Sequence, residues 1–97
     1  MVIVWIPALL RDFTENQEKV KVKGETLRSL LDNLDSLYPG IKKRLITEDD
    51  NLRTDISVLV NGEISYERLR QKLNESDEVY FVPVIAGGQY KNQINFE

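Results

Sequence analysis

The sequence has no cysteine and no histidine. These absences exclude a disulfide framework, zinc-finger spacing, a thiol nucleophile and any Ser-His or Cys-His pair. A basic excess is also missing, since 13 Lys and Arg face 16 Asp and Glu for a net charge of −3. Nucleic acid is therefore not expected as the main partner, because phosphate binding needs a basic face. No apolar run is long enough for a membrane span. The longest, Met1 to Leu10, falls well short of a bilayer. Its first positive charge, Arg11, follows the run instead of preceding it, which is the reverse of a signal peptide. A cytoplasmic protein with no membrane partner is expected. Internal repeats and low-complexity segments are absent too.

What remains describes one domain. The chain has 97 residues, 41% hydrophobic and 30% charged, ordinary for a globular protein and too apolar for a disordered one. Val2-Ile3-Val4-Trp5-Ile6 is rich in β-branched and aromatic residues and reads as a strand ended by Pro7. Leu9, Leu10 and Phe13 then mark a partly buried loop. Lys19-Val20-Lys21-Val22-Lys23 alternates strictly, as a strand with one wet face does. Its lysines are read as guarding a sheet edge rather than contacting phosphate.

Thr26 suits a helix N-cap, and Leu27, Leu30, Leu31, Leu34 and Leu37 follow as one apolar stripe. Tyr38-Pro39-Gly40 stops that helix, and Ile41 with Leu45 suggests one more turn. Thr47 to Thr54 reads as a polar loop. Ile56 to Val60 is an inner strand, followed by Asn61-Gly62, the strongest turn signal in the chain. Tyr66, Leu69 and Leu73 allow a short helical segment, and Glu78 to Val84 is a last strand. Strands on both sides of a single helix give an α+β fold, a mixed sheet with the helix across one face. The first and last strands, nearly all apolar, fit as parallel central neighbours.

Little in the chain resembles catalytic machinery. The acidic clusters Glu48-Asp49-Asp50 and Asp77-Glu78 read as solvated loop charge, because no nucleophile or metal partner is spaced near them. No catalytic residue, metal site or bound cofactor is expected. Gly87-Gly88, just after the last strand, carries more content. A segment without side-chain bulk can thread a narrow channel. From Pro83 the five residues to Gly88 reach about 17 Å when extended, enough to enter a partner's active site.

Asp77-Glu78-Val79-Tyr80-Phe81-Val82-Pro83-Val84-Ile85-Ala86-Gly87-Gly88 resembles the ending of the ubiquitin-like sulfur-carrier family. This family has the MoaD and ThiS types, the small subunit of molybdopterin synthase and the thiamine sulfur carrier. Val58-Leu59-Val60-Asn61-Gly62-Glu63 is similar to the family's hairpin. Ile6 to Arg11 and Tyr38 to Ile41 are most similar to its cysteine-synthesis branch. The resemblance runs from Met1 to Gly88. It implies a β-grasp fold of four to five strands with one main helix, and a carrier rather than an enzyme. It further implies that an E1-like activating partner uses ATP to adenylate the Gly88 carboxylate, which a sulfur donor converts to a thiocarboxylate. A sulfur-acceptor enzyme of molybdopterin, thiamine or cysteine biosynthesis would then take the sulfur.

Family carriers end at the second glycine, whereas Gln89 to Glu97 follows here. The expected division is residues 1–88 as the carrier-like domain and 89–97 as an extension. While Gln89 is attached, Gly88 is an amide and cannot be adenylated. The extension reads either as a pro-segment removed by a metalloprotease or as an interaction strand. The second reading rests on Tyr90, Ile94 and Phe96 falling in phase, and it would support a homo-oligomer. It also leaves open a β-grasp binding module that is not a carrier. Finally, alternation puts Ile3, Trp5, Leu59, Tyr80 and Val82 on the sheet face away from the helix, as an exposed apolar docking patch.

Overall fold

A computed structural model of the chain describes residues 1–84. Gly87, Gly88 and the segment Gln89 to Glu97 lie outside the described residues. Five strands form one mixed sheet: β1 (Val2–Trp5), β2 (Lys19–Val22), β3 (Ile56–Val60), β4 (Glu63–Ile64) and β5 (Glu78–Pro83). Their order is β2-β1-β5-β3-β4. The apolar first and last strands are parallel neighbours, with Val4 opposite Val79 and Trp5 opposite Tyr80. The lysine-bearing β2 lies at an edge and pairs antiparallel with β1. This is the α+β, β-grasp architecture anticipated from the sequence.

One helix, α1 (Leu27–Leu37), covers a single face. Thr26 caps it: the Ser29 amide donates to the Thr26 hydroxyl at 3.2 Å, and the Thr26 amide donates to the Ser29 hydroxyl at 3.1 Å. Two of the orphan donors at the helix start are thereby satisfied. Gly24 lets the chain pass tightly under α1, since a Cβ there would sit 2.7 Å from the Leu30 Cα. Leu27, Leu30, Leu31 and Leu34 are buried against Val2, Val4, Val58, Val79 and Phe81. Every buried side chain among the described residues lies between Val2 and Phe81.

Several expectations about single side chains need correction. Leu37 is 57% exposed, at the last residue of the helix. The segment with Leu9, Leu10 and Phe13 is a 3₁₀ helix (Ala8–Thr14), and only Leu10 of these three is fully buried. The loop from Thr47 to Thr54 folds over a buried Leu52, held by a bridge to Ile46. Tyr66 is exposed, and the helical segment near it shrinks to Arg68–Arg70. By contrast, Ile41 and Leu45 are both buried astride a 3₁₀ turn at Lys42–Arg44, as their spacing predicts.

Candidate functional site

β-Strand alternation divides the sheet into two faces. Val2, Val4, Val58, Val79 and Phe81 go to the helix side. Ile3, Trp5, Leu59, Tyr80 and Val82 share the other face, brought together by the pairings of β5 with β1 and β3. All five are half-buried rather than fully exposed, which corrects the expectation of a bare apolar patch.

The Trp5 and Tyr80 rings stack, with centroids 5.2 Å apart. Glu78 ties down their polar ends, accepting the Trp5 indole N–H at 2.8 Å and, more weakly, the Tyr80 hydroxyl at 3.4 Å. Desolvation first, then the charge and hydrogen bond of Glu78, raise the Tyr80 phenol above its ordinary pKa. On the far side, the Lys19 ammonium lies 5.3 Å from the Trp5 ring centroid, a cation–π contact. Lys19 and Lys21, opposite Trp5 and Ile3, give this apolar face a cationic border.

Glu78 is the participant that sequence reasoning missed, because Asp77-Glu78 read as loop charge. The usable signal was the alternation that puts it in phase with Tyr80. Its placement also joins two motifs that are far apart in the chain. The Asn61-Gly62 turn has positive φ at both residues, 53° and 86°, as a tight hairpin between twisted strands requires. The Glu78 amide donates to the Asn61 side-chain oxygen at 2.9 Å, and the Asn61 side-chain amide donates to Asp77 at 2.8 Å. The hairpin is thus fastened to the start of β5.

At the other end of β5, the Val84 amide donates to the Asp55 carbonyl at 2.8 Å. The chain toward Gly87 and Gly88 departs from that anchored point. Among the described residues, no cluster of three or more carboxylates, histidines or cysteines is arranged to hold a metal ion. No helix among them is long and apolar enough to cross a membrane. The arrangement is a partly exposed apolar and aromatic face, with the last described residue, Val84, anchored to Asp55.

The comparisons with known proteins agree on one relationship. The ThiS family model matches residues 4–88. Sulfur carrier protein CysO of Mycobacterium tuberculosis is 32% identical over 91 residues, covering 90% of this chain and 98% of its own. A chain in the crystal structure of the Amycolatopsis orientalis BexX/CysO complex aligns with a TM-score of 0.82 and 34% identity. That alignment covers 91% of this chain and 100% of the other. SAMP1 from Haloferax volcanii aligns with a TM-score of 0.68 and 28% identity, over 90% of this chain and 98% of its own.

Proposed function

Because the chain belongs to the ThiS family, we propose that it is a sulfur-carrier protein whose working group is the Gly88 carboxylate. The observation that carries this reading is the family match over residues 4–88, which stops at the second glycine of the Gly-Gly pair. The 32% identity to a CysO sulfur carrier supports the same reading and favours cysteine synthesis as the destination of the sulfur.

The chemistry needs a partner. A carboxylate is a poor electrophile, so a carboxylate oxygen of Gly88 attacks the α-phosphorus of ATP, and pyrophosphate leaves. The acyl-adenylate then accepts hydrosulfide at its carbonyl carbon, and AMP departs with the bonding electron pair. The product is a thiocarboxylate, a sulfur nucleophile on a narrow arm. ATP belongs to the adenylating enzyme, and the chain itself supplies recognition and reach. Ile3, Trp5, Leu59, Tyr80 and Val82 form the docking face, with Glu78 fixing the two aromatic rings. Gln89 to Glu97 is a pro-segment whose removal after Gly88 frees the carboxylate.

Adenylation is tested by ATP–pyrophosphate exchange. The host's adenylating enzyme should exchange pyrophosphate into ATP when given the chain ended at Gly88, and not when given the full chain. No exchange with the Gly88-ended chain contradicts the carrier reading.

A further inference from the structure

A groove of about 330 Å³ lies where β5 ends. Leu10, Leu45 and Phe81 line it and are buried, and Pro83 lines it too. Leu9 also lines it but is 83% exposed, a large apolar side chain left in water. Three cations surround this apolar surface. Arg53 is neutralised by Asp55, which accepts from its guanidinium at 3.0 and 2.9 Å. Among the described residues, Lys43 and Arg44 have no carboxylate within ion-pair distance. Arg44 lies instead 5.9 Å from the Phe13 ring centroid. Two uncompensated cations beside an exposed leucine stand out on a chain of net charge −3.

Position identifies the occupant. Pro83 lines the groove and Val84 is anchored to Asp55, which lines it as well. An extended chain from Pro83 to Gly88 spans at most about 17 Å. Any enzyme that holds the Gly88 carboxylate must therefore place its active site within about 17 Å of Pro83, at the rim of this groove. We infer that the groove is a second docking point for the adenylating enzyme, taking an apolar side chain flanked by carboxylates. This rests on the carrier reading above. The apolar group displaces water from Leu9 and the floor, while the carboxylates pair with Lys43 and Arg44. Such rim pairs steer association and make it sensitive to salt.

The probe is the host's adenylating enzyme, purified by the pyrophosphate exchange that the Gly88-ended chain elicits. That chain retains every buried side chain among the described residues, and its thermal melt is first matched to that of the full chain. Its binding is compared among wild type, Leu9→Ala, Lys43→Glu with Arg44→Glu, and Lys72→Glu as a control at an exposed site beside the start of α1. The double charge reversal should weaken binding by about tenfold or more and flatten its salt dependence. Leu9→Ala should weaken binding in the same direction, the control should not, and thermal melts should match wild type. Wild-type affinity in both groove variants, with adenylation intact, overturns the inference alone. Weakening seen only in the full chain makes residues 89–97 the occupant and also overturns it. A host with no enzyme that adenylates the Gly88-ended chain of otherwise wild-type sequence overturns the carrier reading and this inference together.

Discussion

The Trp5 and Tyr80 rings lie face to face across the parallel β1–β5 pair, 5.2 Å apart and within 6° of parallel. Glu78 takes a hydrogen bond from each. An aromatic pair of this kind contributes about 0.5–1.5 kcal/mol beyond the area it buries. Trp5→Ala should therefore cost a modest amount of stability, read in a urea melt, and leave the fold intact. Binding to the adenylating enzyme should fall by about tenfold or more, as for a central interface aromatic. A folded Trp5→Ala variant that binds as wild type removes this face from the docking surface.

Tyr80 also makes an alkaline prediction. Its phenol is held above the ordinary range by desolvation and by Glu78. The folded chain thus keeps that proton where the unfolded chain has already lost it. The associated stability is fully present below the ordinary phenol pKa and declines as pH rises from that value through the folded one. Tyr80→Phe should flatten this decline and remove a phenol that titrates above the ordinary range from the ultraviolet absorbance titration. An unchanged titration in Tyr80→Phe contradicts the assignment.

The two ends of the leucine stripe should behave differently. Leu34 is 1% exposed and Leu37 is 57% exposed. Leu34→Ala should cost roughly 2–5 kcal/mol by leaving a cavity, and Leu37→Ala well under that. Equal losses in urea melts would mean that the helix is rotated from the orientation described.

Gly24 tests the tight passage under α1. An added Cβ meets the Leu30 backbone at 2.7–2.8 Å, and backbone gives way less readily than a side-chain tip. Gly24→Ala should destabilise by about 1–3 kcal/mol through overpacking. A neutral result would show that the strand-to-helix connection relaxes freely.

Much of this architecture was legible because its physical signals are local. The alternation of Lys19 to Lys23, the capping residue Thr26 and the Asn61-Gly62 turn each depend on neighbours within a few residues. The apolar first and last strands also indicated their parallel central pairing. Tertiary context decided the rest. Leu37 satisfies the helical period, yet at the last residue of the helix it is exposed. Leu52 sits in a polar stretch and is buried because Ile46 pairs with it across the loop. Glu78 looked solvated until Trp5, 73 positions away, was brought to its carboxylate. The groove at the end of β5 combines Leu9, Lys43, Asp55 and Pro83 from four separate segments, and no sequence window contains that combination.

The central claim is that Gly88 carries sulfur on its carboxylate. The direct measurement is the intact mass of the Gly88-ended chain after incubation with its host's adenylating enzyme, ATP and hydrosulfide. The account predicts a gain equal to one oxygen replaced by sulfur, localised to Gly88 by fragmentation and lost on hydrolysis, while the full chain stays unchanged. An unchanged mass for the Gly88-ended chain, with an enzyme active on its own carrier, would contradict it.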